Sequence, residues 1–122
     1  MSEYGNIEAC FDYIKKINLS KTAKILDVGT NKGTLVSVLS KNGYSAYGID
    51  VSLEAIQEGK KSYPEIADKL DVYDGIRSNY SDESFAVITC FDVIEHVQKP
   101  EVLLKEISRL LKSDGVLIFQ TP

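Results

Sequence analysis

Nothing in the 122-residue chain approaches the run of about 20 apolar residues that a membrane-spanning helix requires. The polar N-terminus also lacks the layout of a secretory signal. Only two cysteines occur, Cys10 and Cys90, far apart and in no C-x-x-C pair. There is therefore no disulfide framework, which fits a reducing compartment. Together these absences predict a cytoplasmic protein with no membrane partner. Basic blocks and a basic stripe are missing too, and the net charge is −4. That argues against nucleic acid and anionic lipid as partners. No repeat or low-complexity segment interrupts the chain, and histidine occurs once, at His96.

What is present is an ordinary soluble composition, 43% hydrophobic and 26% charged, in a chain sized for one domain with one core. Ile7, Cys10, Phe11, Ile14 and Ile17 recur at helical spacing and predict an amphipathic helix over 4–17. Lys24 to Val28 reads as a strand. Leu35, Val36, Val38 and Leu39 read as a helix face with Gly43 as its stop, and Ser45 to Ile49 as a second strand. Ser52 is placed to cap the next helix, with Glu54 in its first turn. A short third strand is expected in "KLDVYDG" and a buried fourth at Phe85 to Cys90. A last helix should start at Pro100 and stop at Gly115, before a final strand from Val116 to Phe119. Strands alternating with helices predict an α/β fold, Rossmann-like and doubly wound. Its sheet should be mainly parallel, with helices on both faces.

In such sheets ligands lie beyond the carboxyl ends of the strands. The residues there are Asp27–Gly33, Asp50–Val51, Asp74–Ile76 and Phe91–His96. The first strand runs into "ILDVGTNKGTL", a glycine turn followed by a helix. It has no G-x-G, which counts against a dinucleotide, and no G-K-[ST] ending, which counts against a P-loop. Asp27 at the loop entrance would repel phosphate and suit a ligand carrying an ammonium group. Asp50 ends the second strand about 20 residues beyond the loop, where an acid can accept both ribose hydroxyls. Val51 follows it and could pack on an adenine face.

Asp27-x-Gly29-x-Asn31-x-Gly33 resembles the first motif of class I S-adenosylmethionine-dependent methyltransferases, D/E-x-G-x-G-x-G, with Asn31 in place of the middle glycine. After glycine, asparagine is the residue that best tolerates positive φ, so the turn is expected to survive. The stretch "DGIRSNYSDESFAVITCFDVIEHV" is similar to the family pattern in which an acid precedes the fourth strand by about a dozen residues. The resemblance implies that Asp74 accepts from the adenine amino group, that the Gly75 N–H meets the ring and that Ile76 lines the pocket. Asp71 is the competing acid. Ala86 stands where the family often has Asp, a position on which the chemistry does not depend. "FDVIEHV", Phe91 to Val97, matches the segment after the fourth strand in the ubiquinone-biosynthesis-like branch, among type 11/23 methyltransferase domains. "LLKEISRLLKSDGVLIFQTP" continues the likeness, which covers residues 25–122.

The resemblance implies a methyltransferase that uses S-adenosylmethionine, leaves S-adenosylhomocysteine and methylates a small-molecule acceptor, with oxygen the favoured target. The implied cofactor set is Asp27, Gly29, Thr30, Asn31, Gly33, Asp50, Val51, Asp74, Gly75, Ile76 and Phe91. His96, with an ordinary pKa near ~6.5, suits a general base; a structural histidine that orients its loop is the alternative. Asp92, Glu95 and His96 have the acid–acid–histidine spacing with which some relatives hold a divalent cation. Three ligands from one short segment make a weak site, so capping and solvation are favoured for the two acids and no metal site is assigned. The full family fold has seven strands, and this sequence reaches the fifth. The expectation is a truncated single domain, with residues 1–20 as an N-terminal helix and 21–122 as the cofactor-binding core. The isolated chain could be inactive, and the uncovered edge of its last strand could pair with a second copy. Two other readings stay open. One is a non-catalytic S-adenosylmethionine-binding or interaction module. The other is an NAD-dependent oxidoreductase domain, which the missing G-x-G disfavours.

Overall fold

A computed structural model describes residues 3–91 and 99–120. Helix α1 spans Glu3–Lys16 and is followed by Asn18 in the left-handed region at φ 53°, a conformation that commonly ends helices. Strand β1 (Lys24–Val28), helix α2 (Thr34–Lys41), strand β2 (Ser45–Asp50) and helix α3 (Leu53–Ser62) come next. A 3₁₀ segment, Pro64–Lys69, then leads into the short strand β3 (Leu70–Val72). Strand β4 (Phe85–Phe91), helix α4 (Pro100–Leu110) and strand β5 (Leu111–Gln120) complete the described chain.

All five strands are parallel, in the order β3-β2-β1-β4-β5. The chain steps outward from β1 to β3, then returns to lay β4 on the other side of β1. That reversal opens a crevice at the carboxyl tips of β1 and β4, where doubly wound sheets bind ligands. The central strands β1 and β4 bury both faces, as parallel strands between helices do, while β3 and β5 at the sheet edges are largely exposed or half-exposed. Ile25, Ala46 and Val87 face a cluster with Ile7, Cys10 and Ile14 of α1, Leu35, Val36 and Leu39 of α2, and Ile56 of α3. Leu26, Val28, Ile88 and Cys90 face the opposite cluster with Leu103, Ile107 and Leu110 of α4. On that second face the β2 side is covered by the segment before β4. There Tyr47, Tyr80 and Phe85 pack edge to face, with ring centroids 5.0–6.0 Å apart.

The expected caps form at two helices. Ser52 Oγ accepts from Ala55 N at 3.1 Å at the start of α3, and Gly43, at φ 88°, follows α2. Ser52→Ala is expected to cost about 1 kcal/mol, to be read as a lower urea midpoint with an unchanged slope. The expectation for Gly115 does not hold. Helix α4 ends at Leu110, and Leu111 turns to an extended backbone (φ −83°, ψ 134°). Leu110 is fully buried and Leu111 already pairs with Phe85, so the chain passes from helix into sheet with no glycine stop. Gly115 lies instead in an irregularity where the β4–β5 register jumps from Phe85↔Leu111 to Val87↔Val116. A Cβ on it would come within 2.7 Å of a Leu111 methyl and 2.9 Å of the Lys112 carbonyl.

Candidate functional site

The glycine loop folds over the tip of β2. Gly29 N and Thr30 N both donate to the Ile49 carbonyl, at 2.9 and 3.0 Å. Gly29, Asn31 and Gly33 all have positive φ, at 76°, 59° and 86°. Asn31 thus adopts the backbone that a glycine would, the conformation expected of it from its chemistry. Its N–H donates to Asp50 Oδ2 at 2.8 Å, while Ser52 N donates to Asp50 Oδ1 at 2.9 Å. One carboxylate therefore ties the glycine loop to the entrance of α3. Each of its oxygens has a second acceptor site, enough for two hydroxyls of a sugar.

Asp27 is buried, and the register places it opposite Thr89 of β4, whose hydroxyl donates to Asp27 Oδ1 at 2.8 Å. Burial pushes the thiols of Cys10 and Cys90 up to about 12, and the nearby Asp27 carboxylate adds to both shifts. These thiols stay neutral at physiological pH and offer no nucleophile. The buried Thr30 side chain lies against Gly48 of β2, where a Cβ would meet its oxygen at 2.7 Å and both its carbons at 2.8 Å. Thr30 thus fills the room that a side chain at position 48 would need, and its hydroxyl is buried without a partner among the described residues.

Beyond β3 the chain makes a tight turn. Asp74 Oδ1 accepts from Ile76 N at 2.8 Å and from Arg77 N at 2.9 Å. The Arg77 and then the Ile76 N–H hold this carboxyl below its usual range, so it is charged at neutral pH. Gly75, at φ 84°, leaves a gap in which a Cβ would sit 3.4 Å from a Val51 methyl. Val51 and Ile76, apolar residues at neighbouring tips, remain 62% and 61% exposed. An open, apolar-walled slot with an acid near each wall suits a purine riboside. Phe91, the last residue of β4, is half-buried against the α1–α3 side of the core. Asp71 lies exposed on β3, opposite Ile49. Asp92, Glu95 and His96 lie outside the described residues. Among the described residues no three or more His, Cys, Asp or Glu side chains gather as metal ligands, and no helix is long and apolar enough to cross a membrane.

Two features were not found from the sequence. Thr89 is the lone polar residue in "FAVITC", and that contrast is the available signal. The second feature is a clamp on α4. Buried Glu106 Oε2 accepts from Ser78 N (2.7 Å), Ser78 Oγ (2.9 Å) and Arg109 Nη2 (2.6 Å). Arg109 also donates to the Tyr80 carbonyl and to Asp82, at 2.9 and 2.8 Å. These bonds fasten to α4 the segment that follows Asp74–Ile76. The sequence signal is an acid inside the apolar stripe of α4, between Leu103 and Ile107. A cavity of about 410 Å³ lies beside the clamp, lined by Ile76, Arg77, Val102, Lys105, Glu106 and Arg109.

The family model described as methyltransferase domain matches residues 3–122. The chain is 35% identical over 118 residues to a ubiquinone biosynthesis O-methyltransferase of Actinobacillus pleuropneumoniae serotype 7, covering 90% of this chain and 50% of that protein. A protein of the same name from Haemophilus ducreyi is 33% identical over 119 residues, covering 91% of this chain and 50% of its own. The chain thus spans about half the length of these curated relatives. The solved structure of MccD protein superposes at a TM-score of 0.75 with 25% identity, over 88% of this chain and 50% of that one. YcgJ protein from Bacillus subtilis superposes at 0.79 with 20% identity, over 96% and 50%.

Proposed function

The chain belongs to the methyltransferase domain family, and from that premise we propose that residues 21–122 form the S-adenosylmethionine-binding core of an enzyme that methylates an oxygen of a small molecule. The observation that carries the reading is Asp50. It stands at the tip of β2, accepts an N–H from the glycine loop and another from the start of α3, and keeps acceptor sites for two ribose hydroxyls. The glycine loop that it anchors keeps positive φ at all three motif positions, Asn31 included, which supports the reading. The curated relatives carry the name of an O-methyltransferase of ubiquinone biosynthesis, which supports oxygen as the target. Free, buried cysteines agree with a reducing, cytoplasmic setting.

S-adenosylmethionine, when bound, supplies an electrophilic methyl on a sulfonium. The chain's own residues bind and align. Asp50 holds the ribose, and Val51 and Ile76 enclose the adenine. Asp74 and the Gly75 N–H address the ring edge. Asp27, steadied by Thr89, orients the ammonium end beside the glycine loop, and Phe91 closes the crevice from β4. Such alignment can supply about 7–11 kcal/mol of a displacement barrier. His96, in the segment after β4, is assigned the removal of the acceptor's proton.

Calorimetric titration of the chain tests the reading. Binding is expected for S-adenosylmethionine and S-adenosylhomocysteine and not for NAD. Heat with NAD, or with none of the three, would overturn it.

A further inference from the structure

Helix α3 and the glycine loop meet backbone to backbone. A Cβ on Gly59 would lie 2.2 Å from the Lys32 carbonyl oxygen, 2.7 Å from its carbonyl carbon and 3.0 Å from its Cα. The obstruction is main chain, so no change of rotamer relieves it; helix or loop must move. Gly59 is buried in the middle of α3, where glycine is among the poorest helix formers. The turn it occupies is an ordinary helical one, so the backbone itself does not ask for glycine. What asks for it is the approach of Lys32, which sits between the left-handed Asn31 and Gly33.

The same turn of α3 holds the loop a second time. Tyr63 N donates to the Gly59 carbonyl at 2.8 Å, and the Tyr63 hydroxyl lies 3.3 Å from Thr34 Oγ1 at the start of α2. The segment from Lys32 to Thr34 is therefore gripped by α3 at Gly59 and by Tyr63 just past the helix end. A further support comes from Asp50, through the Asn31 N–H.

We propose that Gly59 is a positioning residue for cofactor binding. The bare α3 backbone sets how deeply the glycine loop seats, and so where that loop meets the amino-acid end of the cofactor. The inference rests on the S-adenosylmethionine reading above.

Gly59→Ala tests it. The added methyl improves helix propensity but forces the Lys32 main chain aside, so the chain is expected to stay folded with a melting temperature several degrees below wild type. The dissociation constant for S-adenosylhomocysteine is expected to rise by about tenfold or more. That for adenosine, which lacks the amino-acid end, should change by less than about threefold. Lys60→Ala, exposed on the same helix, is the control and should change neither. Tyr63→Phe removes only the hydroxyl contact with Thr34 and adds no bulk. It is expected to weaken S-adenosylhomocysteine by about threefold and leave adenosine unchanged. If Gly59→Ala does not fold, Tyr63→Phe decides alone. Wild-type affinity in folded Gly59→Ala, or equal losses for both ligands, would overturn the inference. Absence of binding to the wild-type chain would instead remove the reading beneath it.

Discussion

Asp50→Ala should weaken S-adenosylhomocysteine binding on the order of 100-fold or more while the chain remains folded. A hydrogen bond to a charged group contributes about 1.5–3 kcal/mol, so losing two to the ribose removes about 3–6 kcal/mol. Each 1.4 kcal/mol is about tenfold in affinity. The variant also frees the N–H groups of Asn31 and Ser52, which the carboxylate now accepts at 2.8 and 2.9 Å. Asn31 is exposed and Ser52 half-buried, so both N–H groups can turn to water and the loss falls mainly on binding. Asp50→Asn keeps one oxygen acceptor and should fall between the two. Calorimetry gives the affinities and circular dichroism confirms the fold. A folded Asp50→Ala with wild-type affinity would remove the ribose from this position.

The second large effect is on stability. Glu106→Ala removes the buried carboxylate partner of Arg109, which keeps Asp82 and the Ser78 and Tyr80 carbonyls, and leaves the N–H and hydroxyl of buried Ser78 without their acceptor. Breaking a buried, hydrogen-bonded charge pair from one side costs about 3–5 kcal/mol, a large share of the roughly 5–15 kcal/mol that holds a domain together. For a chain of this size that corresponds to a melting temperature lower by roughly 10–20 °C. The effect is also pH-dependent. Burial alone would raise the Glu106 carboxyl, but the donors on Arg109 and Ser78 outweigh it and hold the group below its ordinary 4.5. A carboxyl depressed on folding stabilises fully above its unfolded value. That stabilisation is lost as pH falls through the folded value. Wild-type melting temperature should therefore drop more steeply below about pH 4.5 than that of Glu106→Gln. Parallel acid limbs would show that the clamp does not carry the stability assigned to it.

The sheet could be read from the sequence because its signals are local. Lys24–Val28 and Phe85–Cys90 are short apolar runs, and the helices between them carry apolar stripes and recognisable ends. The join of α4 to β5 could not be read so well, because Gly115 is equally good chemistry for a helix stop and for a bulge. Only the pairing of Leu111 with Phe85 decides between them. Within the site, Asp27, Asp50 and Asp74 stood out as acids at or near the carboxyl ends of apolar strands. Their partners did not. That Asp50 binds the Asn31 N–H, or that Thr89 steadies Asp27, depends on which strands lie side by side. Gly59 was silent for the same reason, since its demand comes from a carbonyl 27 positions earlier in the chain.

Thr30 and Gly48 carry the same lesson further. The threonine occupies the volume in which a residue at 48 would stand, so the two sites share a single side chain's worth of space. Neither can enlarge unless the other shrinks. An engineer altering this glycine loop inherits a second, compensating edit in the neighbouring strand.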